Sequence, residues 1–330
     1  MIVYFSSMIY LDWRSVVRLS YTLVALATAF SLATAHAEER TIRIGYQKYG
    51  TLVFEKTRGT LEKRLAKLNV RVTWTEFLGG PALLEGMNAG SIDFGSAGDA
   101  PPIFGQVAGV PLVYVGVEAA APHGEAVIVP VGSPIHSIAD LRGKKIALNK
   151  GSNVHNLLVR VLAAGGMVPA DVQSVFLKPS DARGAFENGS VDAWVIWDPY
   201  YAAAQTADKV RVISDGVLPD GRVIDENHQF FFAIRDFVAA NPDVIHAMLA
   251  DIQENETYGA AHRDEVVRLL APAMGMDVAT LHTAVARLPF ELQKIDDRII
   301  ASQQDIADVF VGLHLIPNKV DLAKTRIVGF

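Results

Sequence analysis

Two stretches of this sequence carry the same order of structural signals, and that repetition limits the fold more than any other feature. Gly90-Ser91-Ile92-Asp93 and Gly189-Ser190-Val191-Asp192 occupy the same place in the two stretches. In the first, an alternating segment at 42–44 breaks at Gly45 and a polar loop covers 46–51. Leu52, Val53, Leu61, Leu65 and Leu68 then recur among charged residues at helical spacing. A β-rich segment at 70–77, a helix at 82–89 and a turn and strand at 90–95 complete the unit. The second unit has strand signals at 145–148, a polar loop at 149–156 and a helix to Ala164. It then repeats the rest: a strand at 172–177, a helix at 181–187, and a turn and strand at 189–194. Strands alternating with helices make βαβ units and mainly parallel sheets. The repeat therefore predicts two similar α/β lobes. Ligands of such sheets bind beyond the carboxyl ends of strands, where loops lead into helices. Two facing lobes place two sets of these loops around one cleft.

The second lobe is expected to begin near Val129. The apolar segment 230–234 reads as a strand returning to the first lobe, and the helical patterns 237–259, 262–274, 277–287 and 296–313 pack on that lobe. The expected division is a leader at 1–37, first lobe at 38–128, second lobe at 129–228, and a return to the first lobe at 229–330. The leader is read from Arg14 and Arg18, the apolar run 19–34, Ala35-His36-Ala37 and the polar Glu38-Glu39-Arg40. This is the layout of a secretory signal peptide cleaved after Ala37. The run is shorter than the ~20 residues a spanning helix needs, and Met8 is an alternative start. An exported, unanchored chain fits a bacterial periplasm.

Composition closes off several chemistries. The chain has 330 residues and no Cys, which excludes thiolate zinc sites, iron–sulfur clusters and cysteine nucleophiles, and also a Cys-linked lipid anchor. A net charge of −6 gives no electrostatic reason to seek nucleic acid or an anionic membrane. No His pair has metal-ligand spacing, and there is no Walker loop, His-Glu-x-x-His or Gly-x-Ser-x-Gly motif. No cofactor is expected.

Three loop-to-helix junctions follow predicted strands: 47–51 with Gln47 and Thr51, 96–102 with Ser96, Gly98 and Asp99, and 150–156 with Ser152, Asn153, His155 and Asn156. Free backbone N–H groups and the partial positive charge of a helix N-terminus favour anions there, and glycine lets a ligand approach the backbone. The plainer reading is that Ser, Asp and Asn cap these helices, and that His155 is a hydrogen-bonding or surface residue. The segment 194–201 adds Trp197 and Asp198 at a strand end, suited to the wall of a largely apolar cleft, with Trp194 assigned to the core. Arg183, near the start of a helix on the cleft side, is the one further base of interest.

Several segments closely resemble the periplasmic aliphatic sulfonate-binding proteins of ABC importers. They are Gly45-Tyr46-Gln47-Lys48, Asn88-x-Gly-Ser-Ile-Asp93, Gly98-Asp99-x-Pro-Pro-Ile103, Leu112-Val-Tyr-Val-Gly-Val-Glu118, Lys150-Gly-Ser152, His155-Asn-Leu-Leu158, Asp181-Ala-Arg183 and Asp192-Ala-Trp-x-Ile-Trp-Asp-Pro-Tyr-Tyr201. The resemblance covers 41–320 and is strongest up to Tyr201. It implies a hinged, two-lobed type II periplasmic binding fold with its ligand cleft between the lobes. It also implies a monomer that captures a small organosulfonate and delivers it to an ABC transporter permease for sulfur acquisition. The chain departs from the family pattern in having Tyr49-Gly50-Thr51 where more hydroxyls are usual, Ala97 where Thr is frequent and Asn153 where Ser is frequent. Taurine, nitrate and a pyrimidine remain alternative ligands. So does an enzyme on the same fold, although the cysteine-rich motif of the pyrimidine synthase resembling these binders cannot exist here. A taurine site would need a carboxylate at the ammonium. Asp99 and Asp198 are the candidates, and both are expected to serve local backbone groups instead, Asp99 as a helix cap and Asp198 in the Asp-Pro turn.

Overall fold

A computed structural model describes residues 39–207 and 209–326; the leader and its cleavage site lie outside them. In chain order the elements begin with β1 (Arg40–Tyr46), α1 (Thr51–Arg58), α2 (Thr60–Ala66), β2 (Val70–Glu76), α3 (Gly80–Asn88), β3 (Phe94–Gly98), α4 (Ala100–Val107) and β4 (Leu112–Glu118). Next come β5 (Glu125–Pro130), β6 (Lys145–Leu148), α5 (Asn153–Ala164), β7 (Gln173–Phe176), α6 (Pro179–Glu187), β8 (Ala193–Trp197), α7 (Tyr200–Thr206) and β9 (Val210–Asp215). The chain ends with β10 (Gln229–Ile234), α8 (Arg235–Ala240), α9 (Pro242–Ala261), α10 (Arg263–Met274), α11 (Val278–Ala286), β11 (Leu292–Gln293) and α12 (Asp297–Gly312).

Two sheets form, of order β11-β4-β10-β3-β1-β2 and β7-β6-β8-β5-β9. They share one plan. In each, a central strand (β1, β6) is flanked by two parallel partners, and the third strand pairs antiparallel with one that arrives from the other lobe. That strand is β10 in the first sheet and β5 in the second, so the chain crosses between the lobes through 119–124 and 216–228. Strand β5 spans the expected boundary at Val129 and pairs wholly within the second sheet.

The repeated Gly-Ser-Ile/Val-Asp has a structural cause. Gly90 and Gly189 adopt φ of 70° and 75°, the left-handed conformation that glycine takes without a Cβ clash just past a helix end. Asp93 then accepts a bond from the Arg43 N–H at 2.9 Å, and Asp192 one from the Lys145 N–H at 2.8 Å. The backbone N–H of each aspartate donates back to the carbonyl of the same residue at 2.8 Å. Each motif therefore fastens the start of a third strand to the central one.

Local breaks divide two of the expected helices. Gly59, at φ 62°, separates α1 from α2. Pro242 opens α9, and a proline disfavours helical geometry in the residue before it, so Asn241 leaves the helix and α8 stops at Ala240. β3 and β4 are buried along their whole length. Helix α9 packs on α1 and α2, α10 packs on α1, and α12 packs on α4. Helix α11 reaches across to α7 of the second lobe. Among the described residues no helix is long and apolar enough to cross a membrane.

Candidate ligand cleft

The loops after β1, β3, β6 and β8 converge where the lobes meet, and glycines set how closely they meet. A Cβ on Gly98 would lie 2.7 Å from the Asn153 Cβ, well inside van der Waals contact. A Cβ on Gly79 would lie 3.5 Å from Asn149 Oδ1 and 3.6 Å from the Trp197 ring. The lobes are thus in contact at both places, with Trp197 nearly buried between them.

Ser96 sits in the middle of β3, fully buried, and is held from both sides. Gln47 Nε2 donates to its carbonyl oxygen at 3.0 Å, and Gln229 Nε2 donates to its Oγ at 3.2 Å. A hydroxyl that accepts from Gln229 keeps its own proton to donate elsewhere. Ser152 is turned locally, its Oγ donating to the Asn149 carbonyl at 2.8 Å. Asn149 itself has a buried Oδ1 without a hydrogen-bond partner, at the point where Gly79 and Trp197 converge. A buried amide oxygen without a partner is costly unless a donor arrives; a half-turn of the amide would present its N–H2 there instead.

Neither Asp99 nor Ser152 caps its helix, although each occupies the N-cap position. Asp99 has helical φ and ψ (−64°, −39°) rather than the extended geometry of a capping residue. Its carboxylate faces inward, accepting from Asn156 Nδ2 at 3.5 Å, while the same amide donates to Asp225 at 3.1 Å. Asn153 donates to Glu125 and, at 3.4 Å, to Asn227 Oδ1. Three buried acids, Asp99, Glu125 and Asp225, thereby gather where the chain crosses between the lobes. Burial first, and then their mutual repulsion, lifts Asp99 and Glu125 well above the usual carboxylate range; burial lifts Asp225 to about 6. Asn153 and Asn156, expected at the ligand, are bonded to this cluster.

Asp198 accepts from the Ala202 N–H at 2.9 Å, the local role expected of it. It also receives Nη1 of Arg287 on both carboxylate oxygens, at 3.1 and 3.0 Å. Burial raises Asp198 to about 6 even though Arg287 works in the opposite direction. The Arg287 guanidinium lies 4.2 Å from the centroid of the Tyr201 ring and donates to Gln205. Its position at the C-cap of α11, far along the chain, gave no sequence signal.

Thr51 is bonded within the first lobe, whereas His155 of the second lobe packs against first-lobe rings. Thr51 Oγ1 donates to Glu256 at 2.6 Å and its N–H to Glu118 at 3.4 Å. Burial pushes Glu118 to about 7, and burial together with Glu118 pushes Glu256 to about 9. His155 packs among Phe104, Phe176 and Phe310 and accepts from the Gly151 N–H at 3.3 Å; burial lowers it to about 4, so it is neutral. Arg183 pairs with Glu187 on the exposed face of α6.

Known proteins share this framework. The family model described as "NMT1/THI5 like" matches residues 79–266. An Escherichia coli (strain K12) protein carrying the name aliphatic sulfonates-binding protein is 40% identical over 311 residues, 94% of this chain and 95% of its own length. The crystal structure of the periplasmic aliphatic sulphonate binding protein from Escherichia coli superposes with a TM-score of 0.76 at 41% identity, covering 87% of this chain and 97% of that one. The alkanesulfonate-binding protein from Xanthomonas axonopodis pv. citri, bound to MOPS, gives a TM-score of 0.82 at 37% identity, covering 88% of this chain and 99% of that one. With the same two-sheet architecture and near-complete coverage in both directions, the chain belongs to the NMT1/THI5-like family, within its aliphatic sulfonate-binding members.

Proposed function

We propose that this protein captures aliphatic sulfonates between its two lobes in the periplasm and delivers them, as a monomer, to the permease of an ABC importer. The observation that carries the reading is the meeting of the lobes at Gly98 and Asn153, two residues along the strand from Ser96, and at Gly79, Asn149 and Trp197, in a chain whose relatives of similar length are named for binding these anions. A sulfonate is a permanent monoanion with three acceptor oxygens, and neutral donors suit it better than a group that would exchange a proton with it. Ser96, Gln47, Gly98, Ser152 and Trp197 form the proposed contact set. Asp99, Asn153 and Asn156 hold the crossing between the lobes, Asp198 anchors the loop after Trp197, Thr51 braces the first lobe, and His155 packs across the lobe boundary on Phe104 and Phe310. The lobes divide in the crossings at 119–124 and 216–228, the first of them a few residues earlier than the expected boundary at 128/129 because all of β5 belongs to the second sheet, and the leader is removed after Ala37.

Taurine is a poorer fit. Its ammonium needs an open carboxylate, and Asp198 is matched by Arg287 while Asp99 is enclosed with two other acids. The deciding experiment is isothermal titration of the mature protein with butanesulfonate, taurine, nitrate, sulfate and a pyrimidine. Butanesulfonate is expected to bind tightest. Tighter binding of taurine would move the assignment to aminosulfonates, and binding of nitrate or the pyrimidine alone would end the sulfonate reading.

A further inference from the structure

The carboxylates at the crossings between the lobes have too few hydrogen atoms around them. Asp99 comes from the first lobe, where it precedes α4; Glu125 opens β5 of the second; Asp225 lies on the crossing 216–228. All three are buried. Asn156 of α5 donates to Asp225 at 3.1 Å and to Asp99 at 3.5 Å, Asn153 donates to Glu125, and the Asn227 N–H donates to Asp225 at 3.1 Å. Oxygens are still left over. Asp99 Oδ1, Glu125 Oε1 and Asn156 Oδ1 are buried without a hydrogen-bond partner, which is costly while they stay so. Asp225 is near enough to Asp99 and to Glu125 to share a hydrogen bond with each, and two carboxyl groups share one only when a proton lies between them.

The charged groups facing these acids are engaged elsewhere. Arg160 of α5 holds Asp305 of α12 at 2.6 Å. His228 is bonded to the Glu118 carbonyl at 2.8 Å and to Glu226 at 3.1 Å, and Arg298 pairs with the same Glu226 at 3.0 Å. Burial raises the phenols of Tyr49 and Tyr114, which stay neutral. Among the described residues no group of His, Asp and Glu is arranged to hold a metal ion. Protons are what remains to satisfy the oxygens. A polar cavity of about 340 Å³, lined by Asp99, Asn156 and Asp225 together with Arg160, His228 and Asp305, gives solvent a route to them.

We propose that closure of the lobes takes up at least one proton into the group formed by Asp99, Glu125 and Asp225, so that ligand capture is linked to pH through residues outside the contact set. The proposal rests on the sulfonate reading above and adds to it the regulation of that site. Closing sets Asp99 of one lobe against Asn156 of the other and withdraws water from it. An ionised acid then loses its hydration with no donor in exchange, whereas a protonated one loses little. When the lobes part, water supplies the donors and the acids return toward the ordinary carboxylate range. The closed group holds its protons above that range, through burial first and mutual repulsion second. Closure is therefore favoured at low pH and weakened as pH rises through the values of the closed group. A sulfonate stays a monoanion throughout and adds no pH dependence of its own. Glu118 and Glu256 are bonded through Thr51 within the first lobe, so they keep the same partners when the lobes part.

Isothermal titration of butanesulfonate at pH 7.5 in phosphate and in Tris, buffers of very different ionisation heat and neither of them a sulfonate, counts the protons taken up on binding. Wild type is expected to take up about one proton, with affinity falling by up to about tenfold per pH unit between pH 6.5 and 8. Asp99→Asn and Glu125→Gln keep the shape of each side chain and cannot titrate, so each should lower the uptake by at least half and flatten the pH dependence. Glu256→Gln, away from the crossings, should take up as many protons as wild type. Equal apparent enthalpies in the two buffers, with an affinity independent of pH, overturn the device and leave the sulfonate reading intact. Uptake that survives undiminished in both Asp99→Asn and Glu125→Gln, or that Glu256→Gln abolishes, places the protons elsewhere and overturns it as well. Failure of wild type to bind butanesulfonate in either buffer removes the sulfonate reading and the device with it.

Discussion

Arg287 and Asp198 lie 89 residues apart in the chain, yet the guanidinium straddles the carboxylate and the Tyr201 ring at once. Asp198 is almost wholly buried, so its charge depends on that partner. Removing one member of a buried pair leaves the other uncompensated, at a cost of about 3–5 kcal/mol. Because Arg287 is partly exposed, Arg287→Ala is expected near the lower end, about 3 kcal/mol. Arg287→Lys should recover only part of it, since an ammonium cannot keep the planar contact with both oxygens and the ring. Urea denaturation of both variants checks the ranking; equal stability of wild type and Arg287→Ala would mean that the pair contributes nothing. A second residue-scale prediction concerns Glu118 and Glu256, whose folded pKa values of about 7 and about 9 stand above the usual carboxylate value. The folded state therefore holds protons that the unfolded chain has released. Stability is greatest below pH 4.5 as far as these groups are concerned, and it falls as pH rises toward 9. Glu256→Gln keeps an acceptor for Thr51 and removes the titration. It should flatten the decline in melting temperature between pH 5 and 9 and melt higher than wild type at pH 9. Parallel pH profiles for the two proteins would refute that account. At this scale the sequence was only partly legible. Gln47 and Ser96 stand out by type and by place in a loop, and they do meet. Arg287, Glu125 and Asp225 matter through contacts between remote segments, which one-dimensional spacing does not encode.

Elements were more legible, because their signals are local. The repeat, the strand 145–148 and the late helices follow from hydrophobic period and turn residues. Where the reading failed, a backbone effect of one residue decided the outcome: Gly59 in a left-handed conformation and Pro242 each divide what the apolar pattern joins. Strand β4, buried from end to end, shows no polar alternation and so lacked the signature of a half-exposed strand. The duplicated aspartates give the test that belongs here. Both accept a backbone N–H of a central strand, from Arg43 at the middle of β1 and from Lys145 at the start of β6, but they differ in surroundings. Asp93 is buried and also accepts from the Arg43 side chain at 2.9 Å, whereas Asp192 is exposed. Asp93→Ala should therefore cost about 2–3 kcal/mol, the range for charge-assisted bonds, and Asp192→Ala about 1 kcal/mol or less. Chemical denaturation of the two variants measures the difference. An equal cost would show that backbone bracing, common to both motifs, outweighs the arginine.

At the scale of the whole molecule the question is what allows two lobes, joined by two crossings, to meet. Gly98 packs directly on the opposite lobe: a Cβ at 98 would lie 2.7 Å from the Asn153 Cβ, a distance that real side chains do not sustain. Gly98 does not have a positive φ, so an alanine there meets no backbone strain of its own lobe and acts only against the opposite one. Gly98→Ala is thus a probe of closure rather than of folding. A ligand held between lobes shifts the open–closed balance only by its differential affinity for the two states. If closure is penalised, the apparent affinity falls by the lost fraction of competent molecules. A penalty of about 1.4 kcal/mol corresponds to a tenfold weaker apparent affinity. Gly98→Ala should therefore bind butanesulfonate at least tenfold more weakly while melting, without ligand, within a degree or two of wild type. Small-angle scattering supplies the second readout: wild type should contract on adding butanesulfonate, and the variant should need a higher concentration to contract as far. Unchanged affinity together with unchanged contraction would mean that Asn153 yields easily and that some other contact sets the limit of closure.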